Sequence, residues 1–230
     1  MRLLLENRAQ VNGRNDQGFT ALEISVIKGN YYCVLVLIQG GAEVNPMPTS
    51  YNKSKVPLHY ATESGHVEIV KLLIRNGANL KAKDMDDKTA LHYAVSSRSK
   101  YANYICEILL KNGVDIDAKD SGEKNTALSL AVKDHKCNEE VIQTILNFGA
   151  NTELRDAKYR LSPLETAGIL ANLKAVRILL DNGLCPLKTR KMGFFNMSYN
   201  TLELAMLLYH VNQQNSQKVV KTMLYAMSKN

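Results

Sequence analysis

Two short motifs recur in step along this chain, and nothing else in it restricts the fold as much. The first reads TALE (20–23), VPLH (56–59), TALH (89–92), TALS (126–129), SPLE (162–165) and NTLE (200–203). Its leucines, Leu22, Leu58, Leu91, Leu128, Leu164 and Leu202, are 36, 33, 37, 36 and 38 residues apart. A small residue follows each leucine by three: Ser25, Ala61, Ala94, Ala131, Ala167 and Ala205. The second motif ends in glycines Gly41, Gly77, Gly113, Gly149 and Gly183, spaced 36, 36, 36 and 34. A period of this length marks an array in which each unit buries its apolar face only against its neighbours.

Each period reads physically. Thr20, Thr89, Thr126, Ser162 and Asn200 stand at N-cap positions, where a side-chain oxygen accepts a bond from an otherwise orphaned amide. Glu23, Glu165 and Glu203 stand three residues on and complete a capping box. Pro57 and Pro163 take the first helical position, where a missing N–H costs nothing. The small residue lets a short first helix press on its neighbour. After a turn with glycine, as at Gly29 and Gly65, an apolar stripe such as Val67, Ile69, Val70, Leu72 and Leu73 predicts a second helix. The glycine of the second motif ends that helix in the left-handed conformation, and a loop of about a dozen residues rich in Asp, Asn, Lys and Gly leads to the next cap.

These motifs resemble the ankyrin repeat, with its T-P-L-H-x-A start and G-H-x-x-I-V-x-L-L-x-x-G-A middle. Some six to seven copies cover nearly the whole sequence. The resemblance implies an all-α repeat solenoid: antiparallel helix pairs with projecting β-hairpin fingers. Residues 1–16 are expected to be a partial N-terminal repeat, second helix and finger only. Residues 17–230 are expected to form six copies, the last atypical and capping. Val56 departs from the pattern by replacing the capping Thr. The helices between Leu91 and Gly113 and between Leu128 and Gly149 are expected to be three and two residues longer than in the other copies. Arg8 stands where the other copies have glycine. The apolar Leu3, Leu4 and Leu5 suit either an internal start within a longer protein or a fraying first helix.

The repeat disposes of the histidines as chemistry. His59 and His92 stand where Glu23, Glu165, Glu203 and Ser129 stand in the other copies. A residue exchangeable with Glu and Ser bonds a helix start and does not ligate a metal. His66 follows the inter-helix glycine, where the resemblance implies that it satisfies loop backbone. No phosphate-cradling loop, G-x-S-x-G or H-E-x-x-H motif is present, and the carboxylate pairs Asp86/Asp87 and Glu139/Glu140 read as solvated charges. The expectation is a non-enzymatic chain with no catalytic residue, no metal and no cofactor.

Cys33, Cys106, Cys137 and Cys185 show no paired spacing and read as buried free thiols of a reducing compartment. No apolar run reaches the roughly 20 residues of a membrane span, and Glu6 and Arg8 interrupt the leucines of the N-terminus too early for a signal peptide. A cytoplasmic location is expected, with the nucleus also open, and no membrane association.

The resemblance implies binding of another protein on the concave face of fingers and inner helices. The central copies are polar there, through Lys53, Lys55, Glu63, Ser64, Met85, Asp86, Lys88, Ser96, Ser97, Glu123, Asn125, Lys133 and Asp134. Toward the C-terminus the same positions carry Tyr159, Leu161, Ile169, Leu170, Phe195, Met197, Tyr199, Leu207 and Leu208. Lys188, Arg190 and Lys191 lie beside them. Residues 170–230 hold eight basic residues against Asp181 and Glu203, so they carry +6 of the net +7. Aromatic anchors with steering charges describe a binding patch, expected to take an acidic, partly apolar segment of a partner. The alternative is that the long finger folds over Ile169 and Leu170, making Phe195 and Tyr199 core. Three cations are too few for firm nucleic-acid binding at physiological salt, so no nucleic acid is expected.

By resemblance, Asn12 and Asn45 occupy the finger position that asparaginyl hydroxylases modify in ankyrin proteins, with Asp117 its acidic counterpart. The alternative is that these side chains merely bond the hairpin. Two function classes remain. One is a monomeric scaffold or adaptor that acts by occupancy, an inhibitor masking its partner being one form of it. The other is a fragment of a larger ankyrin-containing protein with a structural or intramolecular docking role.

Overall fold

A computed structural model describes residues 10–47, 49, 52–134, 139–185, 190–192 and 197–199, the last two segments by backbone alone. Ten helices occur among the described residues, in pairs that follow the two motifs. They are α1 (Ala21–Ile27), α2 (Tyr31–Gln39), α3 (Pro57–Ser64), α4 (Val67–Arg75), α5 (Ala90–Ser96), α6 (Ala102–Lys111), α7 (Ala127–Lys133), α8 (Glu139–Asn147), α9 (Pro163–Ile169) and α10 (Leu173–Asp181). Strands β1 (Arg190–Met192) and β2 (Met197–Tyr199) pair antiparallel. Contacts divide the chain into two units, residues 1–122 and 123–230. In the first, α1 packs on α2 and α3, α3 on α4 and α5, and α5 on α6, while α2, α4 and α6 form an outer layer. In the second, α7 packs on α8 and α9, α9 on α10, and α8 on α10.

Helices of seven to ten residues are too short to persist alone, so burial holds them. The motif leucines are the inner core: Leu22, Leu58, Leu91 and Leu128 are 1% exposed and Leu164 4%. The small residues Ala61, Ala94, Ala131 and Ala167 are fully buried, as close packing of first helices requires. Four residues before each terminating glycine lies a second core row, Leu37, Leu73, Leu109, Ile145 and Leu179. Cys106 shares a further buried row with Val34, Val70, Ile142 and Val176 and acts there as a small apolar group. Cys33 is half-buried and Cys185 exposed, so the expectation of buried thiols fails for those two.

The extra residues between Leu91 and Gly113 do not lengthen the helices as expected. Here α5 has seven residues and α6 ten, and the addition forms a wider turn at 97–101. Likewise α7 and α8 match α9 and α10 in length. In the first unit the inter-helix turns touch. A Cβ on Gly29 would lie 2.6 Å from the His66 ring, and one on Gly65 would lie 2.1 Å from Ser99 Oγ. His66 therefore departs from its expected part. Its ring fills the space that Gly29 leaves open, and its Nε2 is buried with no hydrogen-bond partner.

The fingers are tight turns more than ladders. Strand pairing among the described residues is confined to β1–β2 and an isolated bridge between Arg14 and Thr20. An acid or amide opens the turn. Asn15 Oδ1 accepts from the amides of Gln17 and Phe19, Asp84 Oδ1 from those of Asp86 and Lys88, and Asp156 Oδ1 from that of Tyr159. These local bonds draw Asn and Asp to such turns.

Candidate functional site: the face of fingers and first helices

The helix starts carry the first question, whether the histidines do chemistry. The Val56 N–H donates to His59 Nδ1 at 3.3 Å, and the Thr89 N–H to His92 Nδ1 at 3.1 Å. Glu23 and Glu165 accept from the Thr20 and Ser162 amides at 2.8 and 2.7 Å. Thr20, Thr126 and Ser162 accept an amide in return, whereas the Thr89 hydroxyl lies 2.9 Å from His92 Nδ1. With Nδ1 accepting, the His59 proton sits on Nε2 and is donated to the Ala82 carbonyl at 3.1 Å. Burial drives the imidazole of His59 from its ordinary value near 6.5 to about 4; Lys55 adds to that shift, and the Ala82 carbonyl, Asp84 and Glu63 oppose it. It is a neutral structural side chain at physiological pH.

Beside these starts the fingers form a continuous face within each unit. In the first, Met85 N–H donates to the Lys53 carbonyl at 3.0 Å and Ser121 N–H to the Asp86 carbonyl at 2.8 Å, so neighbouring fingers are tied. Met47 and Met85 project from these fingers, 77% and 60% exposed. Lys55 Nζ lies 4.3 Å from the Tyr93 ring centroid and 5.4 Å from that of Tyr60, and bonds Glu63 at 2.8 Å. Tyr93 gives its hydroxyl hydrogen to buried Asp84, and burial together with that bond pushes its phenol well up. Phe19 also lies against Tyr60, ring centroid to ring centroid at 6.1 Å. In the second unit Ala157 N–H bonds the Glu123 carbonyl, and Lys133 reaches Glu123 at 2.7 Å, Asn125 at 2.6 Å and Asp156 at 3.8 Å.

The residues expected to form a binding patch divide. Tyr159 is 58% exposed, with Lys158 Nζ 4.8 Å from its ring centroid. Leu170 is 38% exposed and Ile169 half-buried. Leu161, at 5%, is core, because the finger closes through an Asp156 N–H bond to its carbonyl and turns its side chain in. It therefore has no surface to offer a partner. Arg190, Lys191, Met197 and Tyr199 lie on paired strands, Arg190 opposite Tyr199 and Met197 opposite Met192. Lys188 and Phe195 lie outside the described residues, as do Leu207 and Leu208. The structure adds two residues to this face, Phe19 and Ile27, the latter 40% exposed. They stand three before and five after Leu22, as Leu161 and Ile169 stand about Leu164, so alignment of the copies marks them.

The candidate hydroxylation positions lie at finger bases. Asn12 Oδ1 accepts from Glu43 N–H at 2.9 Å and its Nδ2 approaches the Gly41 carbonyl at 3.5 Å. Asn45 repeats this one period on, with Asn79 N–H at 2.8 Å and the Gly77 carbonyl at 2.9 Å. Both amides thus clamp the following repeat. Asp117 is half-buried, its own N–H bonded to Asp115 Oδ1 at 3.1 Å.

A family described as ankyrin repeats (3 copies) matches residues 47–120 and 99–190. The chain belongs to the ankyrin-repeat family. Ankyrin repeats make it a protein–protein interaction scaffold. Among similar proteins, the E3 ubiquitin-protein ligase KEG of Arabidopsis thaliana is 29% identical over 80% of this chain. Human B-cell lymphoma 3 protein is 31% identical over 68%, and human inversin 32% over 43%. The matched segments make up 10%, 34% and 9% of those proteins. Among the described residues of this ankyrin array, no group of three or more His, Cys, Asp or Glu is placed to hold a metal, and no helix is long and apolar enough to cross a membrane.

Proposed function

We propose that this ankyrin-repeat chain is a non-enzymatic adaptor that binds a partner protein along the face of fingers and first helices, acting by occupancy. An inhibitor that masks its partner's surface is the specific form of that role. The observation that carries the reading is Tyr159, a mostly exposed ring beside a lysine, in the repeat whose first helix ends at the half-open Ile169 and Leu170. An aromatic ring presented with a cation is the usual composition of an interface anchor. A depression of the same repeat, lined by Arg155, Glu165 and Cys185 among others, holds about 30 Å³, room for a water and too little for a substrate. The basic C-terminal quarter suits an acidic, partly apolar partner segment. The match takes in 10% of the Arabidopsis ligase, so ligase activity is not carried over.

The test compares proteins captured by the chain with those captured by a Tyr159→Ala/Leu170→Asp variant of matched thermal stability. Partners retained by the first and lost by the second support the reading; an unchanged set removes Tyr159 and its neighbours from it. We propose also that Asn12, Asn45 and Asp117 are substrates for hydroxylation. Intact mass after co-expression with an asparaginyl hydroxylase is expected to rise by whole oxygens, and an unchanged mass rejects that modification.

A further inference from the structure

In the first unit the copy with Lys55 and Glu63 reads as polar in sequence, and the copy before it carries Phe19 and Ile27 on the same kind of face. A site there rests on the reading of this face as a protein-binding surface. Phe19 and Ile27 occupy the repeat positions that Lys55 and Glu63 occupy one copy later, three before and five after the motif leucine. Two adjacent repeats thus present an apolar pair and then a charged pair. Tyr60 links the two, its ring centroid 6.1 Å from that of Phe19 and 5.4 Å from the Lys55 ammonium.

Lys55 is unusual among the cations here. Two tyrosine faces hold its ammonium, its side chain is only 16% exposed, and the one carboxylate bonded to it comes from Glu63, itself 49% exposed. A cation desolvated by aromatic faces and already placed keeps little freedom to lose on binding. Glu63 is then an internal stand-in for a carboxylate arriving from outside.

We infer that Phe19, Ile27, Tyr60 and Lys55 form a subsite for an acidic–apolar peptide segment. An apolar side chain of the partner covers Phe19 and Ile27, and a carboxylate about three residues away displaces Glu63 from Lys55. The two contacts share Tyr60, so an extended strand at ~3.3 Å per residue spans them. Charge complementarity selects the occupant: a basic or uncharged segment gains nothing from Lys55 and has no group to replace Glu63.

A display library of random 12-residue peptides selected on the full chain provides the probe, and its most enriched peptides are then measured as fluorescein conjugates by anisotropy. The expected peptides pair an aromatic or aliphatic residue with Asp or Glu two to four positions away. Their affinity falls at least ten-fold in Lys55→Gln and rises about three-fold in Glu63→Gln, which removes the internal competitor. The gain in Glu63→Gln is a result that a merely destabilised protein cannot give. Lys71→Gln, a change of charge on the outer layer, leaves affinity unchanged. No enrichment, enrichment without carboxylates, or indifference to Lys55→Gln overturns the subsite. Peptides that ignore Lys55→Gln but are lost in Tyr159→Ala/Leu170→Asp overturn this site and leave the adaptor reading standing.

Discussion

The two units build the same helix pairs, and among the described residues different side chains fasten successive repeats in each. In the first unit the buried helix starts themselves reach across: Glu23 accepts from Asn52 of the next finger at 2.9 Å, and His59 donates to Ala82 of the finger after that at 3.1 Å. Asn12 and Asn45 add clamps at the finger bases. The corresponding Glu165 of the second unit draws on its own finger through Arg155 at 2.5 Å, as Glu23 also draws on Arg14 at 3.5 Å. Among the described residues, the cross-repeat bonds of the second unit include Asn172 Nδ2 with the Val132 carbonyl at 2.8 Å, the Gln143–Asn182 pair on the outer helices, and the Ala157–Glu123 and Lys133–Asp156 ties to the next finger. The repeat thus fixes where a polar group must be satisfied and leaves open what satisfies it. Histidine and glutamate both accept the N-cap amide at this position, while Ser129 lies 3.3 Å from the Thr126 hydroxyl.

That difference should appear first in acid. The imidazole of folded His59 is depressed to about 4 from its ordinary value near 6.5, so the unfolded chain binds the proton more readily. The stability that its neutral form contributes is complete above about pH 6.5 and is lost as pH falls from there to about 4. At the lower limit the loss is about 3 kcal/mol, taking ~1.4 kcal/mol per pH unit. Urea denaturation at pH 7, 5.5 and 4.5 should show the slope in the wild type and a shallower one in His59→Gln, whose amide can still accept from Val56. Parallel slopes would mean that the His59 bonds do not fasten the first unit.

Arg155→Leu tests the second unit, at about 2 kcal/mol. Glu165 is 2% exposed and would lose a charged partner, while that arginine is about a third exposed, which places the effect below that of a fully buried pair. Adding Glu165→Ser should recover most of the loss by copying the Thr126–Ser129 arrangement of α7. Hydrogen exchange is expected to confine the damage to residues after 122. Equal damage in the first unit would end the distinction between the two.

Much of this plan was legible because each motif position answers to a backbone demand. The glycines mark left-handed helix ends, the hydroxyl residues mark caps, and exchange of His59 with Glu and Ser revealed its bond without any view of the fold. Side-chain direction on the fingers was less legible. Leu161 and Tyr159 are neighbours of similar character, yet closure of the turn buries one and exposes the other. Phe19 and Ile27 stand out in the sequence only when the first copy is set against the offsets of the fifth. The extra residues after Leu91 could have gone to a helix or to its turn, and periodicity over seven residues does not choose. His66 shows the same gap: its site was evident, but packing against Gly29 depends on two repeats at once.

The smallest effect completes the comparison from within the first unit. Asn12 and Asn45 clamp the repeat that follows, and the next copy has Lys81 at that position, exposed and without a side-chain acceptor. Its target would be the Gly113 carbonyl and the Asp115 amide, the equivalents of Gly77 and Asn79. Lys81→Asn should therefore add one clamp and stabilise by about 1 kcal/mol, the net worth of a bonded amide at a partly exposed site. Asn45→Ala should cost a similar amount. The two changes, one period apart, should add in the double variant to near zero if the junctions act independently. A gain from Lys81→Asn that vanishes when Asn45 is replaced would show instead that the clamps work as one element, and that the first unit differs from the second in cooperativity as well as in the placement of its bonds.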